Sequence, residues 1–214
     1  MWLDWNVGRD VKRRAVPITL VVPDASPLLS LGPVGRLDVL GAFTVPIRIV
    51  DVVEEEARRP QNDLNGAVRA WLDAKPNNVQ IEETIVGAGL RHQRERGLHP
   101  STGNLGEIAV DEYATRLARQ GDPNIVPVVL FEDPDVLELR IARLNNVHLV
   151  NTAAMLTGLE ALGVLSDGKR ILDEINALRA TPMRPIERPA KTRRIELTLR
   201  GATKIGLKSP KEPR

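Results

Sequence analysis

The chain has no cysteine among its 214 residues. That excludes disulfide frameworks, thiolate metal centres and cysteine nucleophiles, and it suits a reducing compartment. Aromatic residues make up only 3%, too few for a nucleic-acid surface built by stacking bases on rings. Trp2, Trp5 and Trp71 therefore read as packing or interface residues. No apolar run approaches the roughly 20 residues that a membrane span requires. The start, Met1-Trp-Leu-Asp-Trp-Asn, carries an acid early and its basic cluster Lys12-Arg13-Arg14 late. The apolar stretch after it is broken by Asp24, so no signal peptide and a cytoplasmic location are expected. A Gly-Lys-Ser/Thr phosphate loop and a nucleophile elbow are both missing, and Gly87-Ala-Gly89 lacks the context of a dinucleotide site. Of the three histidines, His148 lies in an apolar run and reads as a core residue. His92 and His99 flank a basic stretch.

What is present is ordinary for a globular protein, with 42% hydrophobic and 27% charged residues in a length that suits one sizeable domain with appendages. The net charge of +2 is unevenly placed: residues 184–214 carry +7 and the preceding residues −5. Residues 1–16 read as an arm, 17–180 as the folded domain and 181–214 as a basic, proline-containing tail. The weak alternation of Arg194–Leu199 is compatible with an edge strand; otherwise the tail reads as a linker or an extended arm that adds little stability. Such a tail suits RNA phosphates or an acidic protein partner, and a solvated end without a role is the plain alternative.

Strand-like and helical patterns alternate. Strands are expected over Pro17–Pro23, Thr44–Val50, Asn78–Glu82, Ile125–Phe131 and Val147–Val150. Helices are expected over Ser26–Leu40 (broken at Gly32-Pro33), Asp51–Arg59, Asp63–Lys75, Thr84–Gly97, Leu105–Arg119, Asp135–Leu144, Thr152–Leu162 and Gly168–Ala180. In the third of these, Leu64, Val68, Trp71 and Leu72 fall on one face. The alternation predicts an α/β fold with a mainly parallel sheet covered by helices on both faces.

The first strand, Ile18-Thr-Leu-Val-Val-Pro, is apolar but for Thr19 and shows no polar alternation, as suits a strand buried on both faces. It ends in Asp24, with Ser26 an expected N-cap and Pro27 an expected first helical residue. Other acids follow at comparable junctions: Glu54, Glu55 and Glu56 after the second strand, Glu107 at a helix start, and Glu132, Asp133 and Asp135 after Val126–Phe131. In a parallel sheet these junctions share one edge, where ligands bind. Clustered anions raise one another's pKa unless a cation compensates, and an all-oxygen set favours Mg²⁺ or Mn²⁺. Such an ion activates water and balances charge in a phosphoryl displacement. Each acid also has a structural reading. Asp24 can cap a turn, Glu107 can close a capping box with Asn104, Asp133 can cap ahead of Pro134, and the three glutamates can be a solvated helix start. Arg91, Arg94 and Arg96 read as a solvated face or, near the acidic edge, as a hold on a phosphate backbone.

Together, Val22-Pro-Asp24-Ala-Ser-Pro-Leu-Leu, Asp51-Val-Val-Glu-Glu55, Leu105-Gly-Glu107-Ile-Ala and Val128-Val-Leu-Phe-Glu-Asp133-Pro-Asp135 resemble the PIN-domain nucleases, over about residues 17–165. The resemblance implies a three-layer α/β/α fold and a metal-dependent endoribonuclease acting on single-stranded RNA. It implies Mg²⁺ (or Mn²⁺) held by Asp24, Glu107 and Asp133, Glu55 beside them orienting water or ligand, and Asp135 as a further acid at the rim. Members are often homodimeric toxins of bacterial toxin–antitoxin pairs, so a protein antitoxin is an expected partner. Non-catalytic binding of RNA or protein by the same fold is the alternative. The sequence departs from the family pattern in Glu132-Asp-Pro-Asp135, where relatives often show adjacent aspartates, so Asp133 and Asp135 compete for one role.

Overall fold

In a computed structural model, which describes residues 15–99, 103–120, 125–179, 182–185, 187–188 and 194–196, the centre is a six-stranded sheet. The elements run β1 (Ala15–Pro17), β2 (Leu20–Pro23), α1 (Ala25–Leu31), β3 (Ile47–Val50), α2 (Asp51–Ala57), α3 (Ala67–Asp73), β4 (Val79–Glu82), α4 (Ile85–Glu95) and α5 (Leu105–Arg119). They continue through β5 (Pro127–Phe131), β6 (His148–Asn151), α6 (Thr152–Ala161), α7 (Gly168–Ala177), β7 (Glu187–Arg188) and β8 (Arg194–Glu196). The sheet order is β4-β3-β2-β5-β6-β7. The first five strands are parallel and β7 is antiparallel to β6. Helices cover both faces, giving the three-layer α/β/α architecture.

Every residue of β2 and β5 is buried, whereas Gln80 and Ile81 of edge strand β4 are exposed. The sequence follows suit: the two central strands are apolar without alternation because both of their faces are covered. α5 lies across β2, β3 and β5 with α2 and α4 against it, and α6 packs on α7. Their apolar faces meet in one continuous core that includes Leu28, Ile47, Ile49, Phe131, Leu149 and Leu156. From β2 the chain moves outward through β3 to β4; it then returns past β2 to β5 and moves out the other way to β6. The order therefore reverses between β2 and β5, and the crevice at their carboxyl ends is where open α/β sheets hold ligands.

Several local expectations give way to tertiary contacts. The helix expected over Asp135–Leu144 is two 3₁₀ turns, Pro134–Glu138 and Arg140–Arg143, parted at extended Leu139. The buried Asp111 carboxylate on α5 accepts from Ile141 N at 2.9 Å and Arg140 Nε at 2.9 Å, so a side chain caps the second turn from outside. The first helix starts at Ala25 with Asp24 in the capping position, not at Ser26. Helix α3 starts at Ala67, because buried Asp63 accepts from Val68 N at 3.1 Å and Arg69 N at 2.9 Å. That leaves Leu64 in the preceding turn, 86% exposed rather than on the apolar face. The Asn104–Glu107 capping box does not form: Asn104 is left-handed at φ 58° and its side chain makes no cap bond.

The strand expected from Pro17 divides. Ala15–Pro17 pairs in parallel with Arg194–Glu196 of the basic tail, and Leu20–Pro23 enters the main sheet. Glu187–Arg188 pairs with β6. Of the segment 181–214, one short strand thus pairs with β6 of the main sheet and another with β1 in a separate two-stranded sheet, while most of the arm and tail lie outside the described residues. Among the described residues no helix is long and apolar enough to cross a membrane.

Candidate active site

Asp24 ends β2, hydrogen-bonded through its amide to Leu130 O of β5 at 2.8 Å. It is 5% exposed. Burial pushes its carboxyl up to about 7; the Glu56 and Glu107 charges push it further the same way, and the nearby amides of Ala25 and Ser26 pull it back. None of the largest influences on it is a cation, and among the described residues it has no ion-pair partner. Glu56 is raised by burial, opposed by Arg59. Glu107, in the first turn of α5, is raised by burial and then by Asp133, Asp135 and Glu56. The carboxylates therefore form a group: Asp24, Glu56 and Glu107 inside, Asp133 and Asp135 toward solvent. Asp133 is itself engaged, accepting from Asp135 N at 2.9 Å to start a 3₁₀ turn. The capping role expected of Asp133 is therefore present, and its charge also acts on Glu107.

The middle segment is corrected by one residue. Glu55, expected beside the other acids, turns outward. Arg94 grips it with two bonds, at 2.7 and 2.6 Å, and Arg59 adds a third at 3.0 Å. These guanidiniums hold its carboxyl below the usual range. Glu56 is the member that faces Asp24, because consecutive helical residues diverge by about 100° and only one can point inward. The signal was in the sequence: buried Val52 and Val53 mark the covered face of α2, and Glu56 lies at i+4 and i+3 from them.

Gly106 makes the close approach feasible. A Cβ there would stand 2.8 Å from Glu56 Oε2 and 3.6 Å from Asp24 Oδ1. The missing side chain leaves a cradle bordered by two carboxylates, at the mouth of the β2/β5 crevice.

The expected basic group is also partly engaged. Arg91 bonds Asp51 at 2.6 Å, where Thr84 also donates at 2.7 Å; Arg94 holds Glu55, and Arg96 is exposed at the end of α4. Asp51 sits so close to Gly87 that any Cβ there would meet its carboxyl group at 2.0–2.5 Å. Arg91 and Arg94 thus tie α4 to α2 beside the acids, rather than lining them as unpaired charges. His148 is a buried core residue, held down to about 4 by burial.

A further acid at this edge is buried and fully engaged. Glu132 directly follows β5 and is 9% exposed. It accepts from Ser30 Oγ at 2.9 Å and Thr152 Oγ1 at 2.6 Å, and is paired with Arg179. Burial raises its pKa, and these three partners oppose the rise.

A divalent ion suits the acid group in kind, since the donors are all oxygen, two neighbours are like-charged and the Gly106 cradle leaves room. In spacing the group is open: among the described residues, no three potential ligand side chains stand close enough together to hold one ion.

No family model matches the chain, and no curated protein matches it. Among solved structures it is similar to the PIN domain of RRP44 from T. brucei, at 14% identity over 70% of this chain and 84% of that one, with a TM-score of 0.41.

Proposed function

We propose that the carboxyl edge between β2 and β5 is the centre of a metal-dependent endoribonuclease. The observation that carries this reading is Asp24: a nearly inaccessible carboxylate at the strand-order reversal, raised to about 7, facing Glu56 and Glu107 with no ion-pair partner of its own among the described residues. A protein keeps such repulsion where a cationic ligand relieves it. Asp24, Glu56 and Glu107 would hold Mg²⁺ or Mn²⁺, with Asp133 and Asp135 toward the solvent side; Glu56 here replaces Glu55. When bound, the ion would activate water and balance charge on a phosphodiester. The residues themselves supply the anionic wall and, in Asp24, a carboxyl that exchanges its proton near neutral pH. Glu55 would position Arg94 and Arg59 at the rim, where the substrate's flanking phosphates would lie.

The motif resemblance supports single-stranded RNA as the substrate class, and a toxin paired with a protein antitoxin, acting as a homodimer in the cytoplasm, as the setting. Cleavage assays on single-stranded RNA, duplex RNA and duplex DNA, with Mn²⁺ and with EDTA, test the core of the reading. Single-strand cleavage that stops with EDTA is expected; equal cleavage in EDTA would sink it. A second reading, a non-catalytic module that binds RNA or protein, is favoured by the open spacing of the donors. Mn²⁺ titration followed by electron paramagnetic resonance separates the two, because that module would bind no ion at Asp24.

A further inference from the structure

We infer that the chain just beyond α7 sets the outer half of the site, with Arg179 as the positioning residue acting through Glu132. This rests on the reading above of the acid group as a catalytic centre. Glu132 is held from three directions: by Ser30 in α1, Thr152 at the start of α6, and Arg179, which follows α7 and also donates to Ser30 at 3.0 Å. The same end of the chain is tied down twice more. Asn151 Nδ2 donates to Arg184 O at 2.6 Å, and Met183 N donates to Asn176 Oδ1 at 2.7 Å.

What Glu132 anchors is the exit of β5. The next residue is Asp133, whose carboxylate takes the Asp135 amide and whose charge, with that of Asp135, acts on Glu107. On the strand side, Leu130 O receives the Asp24 amide. The segment from 130 to 135 thus joins the inner acid to the two outer ones, and its one fully covered charged side chain is gripped by a residue far along the chain. Without Arg179 the buried carboxylate has no ion-pair partner among the described residues, and reaching water would require the 132–135 backbone to turn. A displacement of about 1 Å in catalytic groups is enough to lower turnover about 100-fold. Among the described residues Arg179 bonds Glu132 and Ser30 and neither the inner acids nor the rim arginines, so its influence reaches the site through the strand exit and through α1.

The test uses the full chain with Arg179→Met, Arg179→Lys and the double variant Glu132→Gln/Arg179→Met, each read by hydrogen exchange and by cleavage of a short RNA in Mn²⁺. Arg179→Met should speed exchange over 132–139 well beyond the even shift that lost global stability imposes on β2, β3 and α5, and lower kcat by about 10- to 100-fold at an almost unchanged KM. The double variant, which removes the uncompensated charge, keeps an oxygen acceptor for one of the two hydroxyls and donates an amide N–H to the other, should recover both. If Arg179→Met does not fold, Arg179→Lys carries the test. It keeps a charge but loses the fork, and a partial, local loosening is expected. Uniform loosening of the whole sheet would overturn the inference, as would loosening at 132–139 with normal kcat. A wild-type protein that does not cleave RNA at all would sink the proposed function, whereas the exchange pattern would still decide whether Arg179 governs 132–135.

Discussion

Asp24 and Glu132 end neighbouring strands, at adjoining points of one crevice, and are almost equally covered at 5% and 9% exposed. Their surroundings are opposite. Glu132 has two hydroxyls and a guanidinium; Asp24 faces two further carboxylates and has no ion-pair partner among the described residues. Burial alone therefore does not mark a functional acid, since it raises both groups. The partners make the difference. A buried carboxylate with a full set of donors consolidates the fold, whereas one facing like charges costs stability and invites a ligand that relieves it.

The largest effect expected from this contrast is on activity. Asp24→Asn and Glu56→Gln should each abolish Mn²⁺-dependent RNA cleavage in a single-turnover assay while leaving the circular dichroism spectrum intact. Thermal stability without metal should hold or rise, because one of several repelling charges is gone. Full cleavage by Asp24→Asn would remove the uncompensated side of the comparison. On the other side, Arg179→Met leaves Glu132 charged and covered and should cost about 3 kcal/mol by denaturant unfolding, at the low end of such losses because the arginine is 35% exposed.

The same contrast has a pH signature. Asp24 titrates near 7 in the folded state against 3.8 in its ordinary range. Between these values the native state binds the extra proton, so stability should fall as pH rises from about 4 to about 7. Glu56 and Glu107 are shifted in the same direction and add to that slope. Asp24→Asn should flatten most of it; an unchanged slope in urea titrations would show that Asp24 is ionised in the folded protein throughout.

Smaller effects test the geometry around Asp24. Gly106→Ala would push Glu56 out of the cradle and should weaken Mn²⁺ binding about tenfold, as losses of supporting contacts do, with little change in unfolding midpoint. The smallest change is expected at Glu55. It is ion-paired on the partly exposed side of α2, so Glu55→Gln should lower stability by less than about 1 kcal/mol and leave kcat near wild type, with any loss confined to KM. Equal collapse of activity in Glu55→Gln and Glu56→Gln would erase the assignment of the inward acid.

Much of the fold was legible because its cause is local. Apolar runs at Leu20–Pro23 and Pro127–Phe131 can be satisfied only by covering both faces, and the intervening helical periods then require a parallel sheet. The site was legible to the resolution of a segment. Asp24 and Glu107 each stood out alone at a junction, but three successive glutamates and three acids within Glu132–Asp135 were ambiguous. Which member points inward depends on the face that packing covers. Val52 and Val53 orient α2, and Ser30, Thr152 and Arg179 claim Glu132; the last two partners lie 20 and 47 residues further along the chain.

By itself, then, the sequence determined the class of fold, the edge at which acids collect and the oxygen-only character of their chemistry, since these follow from residue type, period and order. The tertiary structure alone decided that Glu56 rather than Glu55 faces Asp24 and that Glu132 is neutralised from the far end of the chain. It also decided that a carboxylate from α5 divides Pro134–Arg143 into two turns. Each of those outcomes depends on a partner distant in sequence, and a charge or an amide goes to whichever partner packing brings within bonding distance.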